Sequence, residues 1–134
     1  MIAFFDTNLL VYAQQADGKG DRARALFAGG GKLSVQVLNE FTAVSRRKQG
    51  RDWPDIAEAI SDVLMMVDPP LALTLDLHVS ARALAEAHRL SFYDALIVAS
   101  AIEAGCDTLY SEDMQRGRTI GGRAIVNPVL DSAP

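Results

Sequence analysis

The sequence predicts an α/β fold, a parallel sheet flanked by helices on both faces. Three observations point there. Ile2-Ala3-Phe4-Phe5 is a continuous apolar run that stops at the polar Asp6-Thr7-Asn8, the pattern of a strand covered on both sides. Thr108-Leu109-Tyr110 is a second such run, and it stops at Ser111-Glu112-Asp113. Between the two lie helical periodicities joined by short connections, and strands that alternate with helices align their carboxyl ends along one edge of the sheet. A length of 134 residues, 49% hydrophobic and 22% charged, suits one core, so residues 1–134 are expected to form a single domain.

After the first strand, Asp17-Gly18-Lys19-Gly20 reads as a break and Asp21 to Ala28 as a short helix. Gly29-Gly30-Gly31 ends that helix; these glycines fit neither a Walker loop nor GxGxxG, so a C-cap and turn is expected rather than a phosphate cradle. Leu33-Ser34-Val35 reads as a short strand. Val37, Leu38, Phe41 and Val44 recur at helical spacing in a helix from Val37 to Gln49, closed by Gly50. Pro54 suits the start of the next helix, Asp55 to Met66, with Met65 and Met66 as core filler and Val67-Asp68-Pro69-Pro70 as an extended break.

Leu77, Ala81, Leu84 and Ala85 mark a further helix ending near Arg89. It carries both histidines, but His78 and His88 are ten apart and form no HExxH pattern, which reads as surface or capping positions. Ala95 to Ile102 is apolar on nearly all sides, so its helix is expected to be buried; Ser91 and Asp94 in front of it match the S-x-x-D capping pattern. Gly105 stops that helix, Thr108 to Tyr110 follows as a strand, and Ala124-Ile125-Val126 supplies the last one.

The apolar stretch at Ala95–Ile102 is far short of the ~20 residues a membrane span requires, so no membrane insertion is expected. The amino terminus has no basic region and Cys106 has no partner cysteine, which suggests a reducing cytoplasm. A formal charge of −4 argues against a passive nucleic-acid binder, whose surface is normally basic.

Four acids account for part of that charge, and each sits at an element boundary: Asp6, Glu40, Asp94 and Asp113. Asp6 and Asp113 follow strands, and Glu40 and Asp94 lie in the opening turns of helices on the same side, so all four are expected to converge. Gathered carboxylates repel one another, and a fold that collects them does so to hold a hard divalent cation against an oxygen-rich substrate, most simply a phosphodiester. Each acid also has a bland reading. Glu40 can be a solvated edge of its helix, and Asp94 can serve only as a cap.

These residues resemble the PIN-domain ribonucleases, and within them the VapC-like toxins of bacterial toxin–antitoxin pairs. The resemblance rests on Ile2–Asn8, Val37-Leu38-Asn39-Glu40-Phe41, Leu90–Ile97 and Leu109–Met114, and covers essentially the whole chain. It implies that Asp6, Glu40 and Asp94 are the core metal-binding and catalytic acids. Asp113 would be the fourth, or Glu112 if the strand ends one residue differently. Thr7 and Ser111 would assist by hydrogen bonding. It further implies an endoribonuclease that uses Mg²⁺ or Mn²⁺, a small cognate antitoxin, and a homodimer. RNA would approach the acidic cleft over basic residues, for which Arg46, Arg47, Lys48, Arg116, Arg118 and Arg123 are the candidates, although Arg46, Arg47 and Lys48 also suit the end of a helix. Trp53 and Tyr93 can stack on bases, but packing in the core or at a helix start is the simpler expectation.

Rival readings fare less well. A phosphoacceptor receiver domain needs a late lysine, and none follows Lys48; a haloacid-dehalogenase-like phosphatase needs Asp-x-Asp, where this chain has Asn8. The chief alternative is a catalytically silent α/β binding module.

Overall fold

The computed structural model describes residues 2–112, 119–120 and 123–126. Within them the elements run β1 (Ala3–Phe5), α1 (Thr7–Ala13), α2 (Gly18–Ala28), α3 (Val35–Arg47), α4 (Trp53–Leu64), α5 (Leu75–His88), α6 (Phe92–Glu103), β2 (Thr108–Tyr110), β3 (Thr119–Ile120) and β4 (Arg123–Val126). The sheet order is β1-β2-β4-β3. β1, β2 and β4 are parallel, and β3 is an antiparallel edge that the sequence reading lacked.

All three residues of β1 are buried. Successive strand side chains point to opposite faces, so both faces of the sheet are covered there. Phe5 is in register with Tyr110, and the Asp6 N–H donates to the Tyr110 carbonyl at 3.0 Å. The two strands therefore end together, and the residues just past them, Asp6 and Ser111, emerge side by side.

The polar segment after β1 opens a helix that the sequence reading lacked. Asp6 is the N-cap of α1, its side chain accepting from the Thr7 N–H, and Leu9 and Leu10 are buried one turn on. α2 also begins earlier than expected: Asp17 caps it by accepting from the Gly20 N–H, so Gly18 to Gly20 are already helical. Gly29 is the C-cap of α2, as the glycine run suggested. Gly31 has φ +149°, and a Cβ there would stand 2.5 Å from the Phe5 ring and 2.9 Å from the Ala3 carbonyl oxygen. Only glycine fits at that point.

Leu33-Ser34-Val35 is not a strand. Isolated bridges join Phe4 to Lys32 and Ser34 to Leu71, while the Ser34 hydroxyl accepts from the Val37 N–H and Val35 opens α3. A side chain that caps a helix competes with a ladder for the same backbone, and here the cap wins. Asp52 caps α4 with Pro54 in its first turn, and Thr74 caps α5, which ends on Arg89 in the left-handed conformation (φ 56°). Met66 packs against the core, but Met65 is 85% exposed, contrary to its expected role as filler.

α6 carries seven consecutive buried residues, Ala95 to Ala101. Its buried Ser100 satisfies its hydroxyl on the Leu96 carbonyl at 2.8 Å. One cluster unites Phe4, Phe5, Leu10, Phe27, Val37, Phe41, Ile97 and Leu109; a second joins Leu77 and Ala81 of α5 to Ala95, Leu96 and Ala99 of α6. The small residues let α5 and α6 approach closely, and each fully buried Phe or Leu in the first cluster contributes on the order of 1.5–3 kcal/mol. That packing holds α6 in the core shared with β1 and β2 through Ile97, Val98 and Ala101.

Candidate active site

The carboxyl ends of β1 and β2 hold the innermost acid. Asp6 is 4% exposed, and both of its oxygens are occupied: Oδ1 accepts from the Thr7 N–H at 2.6 Å and Oδ2 accepts from Ser111 Oγ at 2.7 Å. Ser111 is fully buried, in the place its register with Asp6 dictates. A buried carboxylate is tolerated where donors satisfy it, and charge-assisted bonds of this length are the strong ones.

Glu40 reaches the same place from α3. Its Oε2 accepts from Thr7 Oγ1 at 3.4 Å, so Thr7 contacts Asp6 through its backbone and Glu40 through its side chain. The Gln36 side chain also hydrogen-bonds Glu40 from one turn earlier. The Glu40 carboxyl is raised from 4.5 to about 7, chiefly by burial, then by the charge of Asp6, with a smaller push from Asp94; the Thr7 and Gln36 hydrogen bonds act the other way. Glu40 is therefore not the solvated helix edge of the bland reading.

Asp94 enters from the first turn of α6. It is half-buried, and its N–H donates to Ser91 Oγ at 3.2 Å, so the cap anticipated from S-x-x-D is formed. The cap uses the Asp94 backbone amide, while its charge is felt at Glu40. Capping and membership of the acidic group thus coexist. Among the described residues, no three acid, histidine or cysteine side chains are drawn up into a ready coordination cage. Asp6 and Asp94 do lie near enough to Glu40 for their charges to raise its carboxyl. Asp113, Arg116 and Arg118 lie outside the described residues. Arg123 opens β4, and its side chain likewise lies outside them. Glu112, half-buried, directly follows Ser111.

The donor set fits a hard divalent cation: every candidate ligand is a carboxylate oxygen, and the Asp6 and Asp94 charges add to the burial that raises Glu40, a repulsion such an ion relieves.

The basic candidates separate. Arg46 sits over the Trp53 ring, 4.7 Å from its centroid, and donates to the Arg51 carbonyl at 2.9 Å. Lys48 is the exposed C-cap of α3. Arg47 lines a cavity of ≈ 500 Å³ together with Gln36, Asn39, Glu40, Ala43, Val44 and Tyr93. Trp53 and Tyr93 are 60% and 59% exposed, so both stand at helix starts and neither is in the core. His78 is exposed and lies against Phe92. A cavity of ≈ 540 Å³ beside Gly29 to Gly31 is lined by none of Asp6, Glu40 and Asp94. Sequence reasoning missed Gln36; its i, i+4 spacing from Glu40 on one helix was the available signal.

The PIN domain family matches residues 3–118. No curated protein matches the sequence. Among solved structures, the chain is similar to Mycobacterium tuberculosis VapC20, described as a toxin that cleaves the sarcin–ricin loop, with TM-score 0.66 and 24% identity over 83% of this chain and 89% of that one. VapBC2 of Rickettsia felis, bound to a DNA fragment from its promoter, gives 0.66 and 20% over 93% and 97%. A toxin–antitoxin complex of Klebsiella pneumoniae gives 0.70 and 19% over 94% and 97%. At these identities the likeness establishes the fold.

Proposed function

The chain belongs to the PIN domain family, and from that premise we propose that it is a metal-dependent endoribonuclease, the toxin of a type II toxin–antitoxin pair. The observation that carries the reading is the coupling of Glu40 to both Asp6 and Asp94, carboxyls contributed by three separate elements. Asp6, Glu40, Asp94 and Asp113 would hold Mg²⁺ or Mn²⁺. When bound, such an ion acidifies a water and neutralises charge on a phosphodiester under attack.

The chain's own residues do the positioning. Ser111 and the Thr7 amide fix both oxygens of Asp6, so that carboxylate cannot swing. Thr7 and Gln36 hold Glu40 from two sides. In the metal-free protein the Glu40 carboxyl is raised to about 7, and a bound cation would favour its ionised form. Arg47 supplies positive charge for the RNA backbone beside the acids. The chain's overall charge of −4 leaves that local cation the more important.

Resemblance to structures described as toxin–antitoxin assemblies supports a small antitoxin as partner; a homodimer and a cytoplasmic location belong to the same proposal. No helix among the described residues is long and apolar enough to cross a membrane. The competing reading, a silent binding module, draws on the capping roles of Asp6 and Ser91. Incubation of the purified chain with structured RNAs in Mg²⁺ or Mn²⁺, with chelator as control, separates the two. Cleavage that chelator stops is expected; cleavage indifferent to chelator overturns the mechanism.

A further inference from the structure

We propose that the cavity beside Glu40 is a nucleobase subsite, in which the Tyr93 ring stacks on an unpaired base while Arg47 holds the neighbouring phosphate. The inference rests on the ribonuclease reading and deepens it: the enzyme would grip the nucleotide next to the one it cleaves.

The cavity has the shape and lining for such a guest. Its ≈ 500 Å³ is of the size that takes up a nucleotide-sized group. One wall is α3, where Glu40, Ala43, Val44 and Arg47 follow one another along a single face. Ala43 and Val44 are small and leave room between the acid and the base. Tyr93 completes the lining and is 59% exposed. The ring is nonetheless held in place: Phe92 lies against it, centroids 5.7 Å apart at 64°, and His78 lies 5.2 Å from Phe92 in turn. An aromatic surface that is both exposed and braced is a stacking platform, tolerant of sequence because every base has a π-face.

Charge follows the same order. Arg47 stands two helical turns beyond Glu40, an axial rise of ~10 Å. Arg46 is engaged with Trp53, but Arg47 makes no ion pair among the described residues and faces the cavity. A strand whose phosphate lies at the acids therefore meets a π-surface and then a guanidinium. Asn39, exposed on the same lining, offers one donor and one acceptor to a base edge.

The test is fluorescence anisotropy of short labelled single-stranded RNAs, one intact and the others each lacking one base in turn, titrated with metal-free full-length protein. For wild type, removal of one particular base should weaken binding about tenfold, the worth of a base–aromatic stack. Tyr93→Ala should bind intact RNA about tenfold more weakly and lose nothing further at that position, whereas Tyr93→Phe keeps the wild-type pattern. Should Tyr93→Ala fail to fold, Tyr93→Leu, which keeps an apolar contact for Phe92 and removes the π-face, carries the same expectation. Arg47→Ala should weaken all the RNAs alike and make the salt dependence shallower by about 0.7 in log–log slope. A flat base scan in wild type, or a base-dependent loss that persists undiminished without the Tyr93 ring, overturns the subsite. Metal-dependent cleavage with a flat scan sinks the subsite alone; a position-specific scan without any cleavage sinks the ribonuclease reading and leaves the subsite standing.

Discussion

Ser111 Oγ donates to Asp6 Oδ2 across 2.7 Å, joining residues 105 apart in the chain at the ends of two adjacent parallel strands. The bond is buried at both ends, and one of its partners is the least exposed of the acids Asp6, Glu40 and Asp94.

Ser111→Ala should therefore cost stability out of proportion to its size. A hydrogen bond to a charged group is worth about 1.5–3 kcal/mol, and its loss leaves a buried carboxylate oxygen short of a donor. Urea denaturation in chelator is expected to show a loss of about 2 kcal/mol with an unchanged m-value. A loss below ~0.5 kcal/mol would mean that the carboxylate finds another partner.

Glu40 makes the stability of the metal-free protein depend on pH in an unusual direction. Its carboxyl is raised in the folded state from 4.5 to about 7, so between those values the native protein binds more protons than the unfolded chain. Stability must then fall as pH rises through that window. The carboxyl is about half-buried and partly screened, which reduces the full linkage to about 1–2 kcal/mol. Chemical denaturation at pH 5 and pH 8 in chelator measures it, and Glu40→Gln should abolish the slope. A wild-type slope of the opposite sign would refute the assignment.

Asp94→Asn is expected to abolish cleavage while stabilising the metal-free protein. The substitution relieves repulsion with Glu40 and forfeits roughly 0.3–1 kcal/mol of favourable charge at the start of α6. Added Mg²⁺ should reverse the ranking, since only wild type gains fully from binding it. Because Asp6 pushes on Glu40 harder than Asp94 does, the Glu40 midpoint should drop further in Asp6→Asn than in Asp94→Asn. Carboxyl-carbon NMR titration reads both midpoints; thermal melts in chelator with Asp94→Asn below wild type would return Asp94 to the role of a helix cap.

Gly31→Ala should be among the most damaging single-methyl additions in the chain. The new Cβ meets the Phe5 ring and the Ala3 carbonyl, both parts of β1, at a backbone angle that side chains avoid. A loss of at least ~2 kcal/mol in denaturant melts is expected, from strain and overpacking together. A near-neutral result would show that β1 yields easily, and with it the placement of Asp6.

Much of this was legible because apolar runs ending in polar residues mark strands whose ends carry chemistry, as at Phe5-Asp6 and Tyr110-Ser111. The buried helix after Ser91 declared itself through its unbroken apolar stretch and its cap. Where the sequence misled, two local meanings competed. Asp6-Thr7-Asn8 reads equally as a turn or as a cap followed by a helix, and α1 depends on Leu9 and Leu10 finding the core. Leu33-Ser34-Val35 has strand composition, but Ser34 is needed as a cap. β3 is two residues long, too short for any periodicity to announce it. Exposure is the least readable property: Met65 caps the end of α4 and Tyr93 stands in the first turn of α6, and only the packing of their neighbours decides that they face outward.

The parallel pairing of β1 with β2 also sets when the protein can become active during its own synthesis. β1 leaves the ribosome before its partner strand and Ser111, which come after α6, so a nascent chain holds Asp6 without the neighbour that fixes it. Contacts this distant in sequence form late, after most of the domain has been made. A chain that cleaves RNA would thus stay harmless to the ribosome translating it until β2 has emerged, which is also the earliest moment at which a partner can recognise the assembled site.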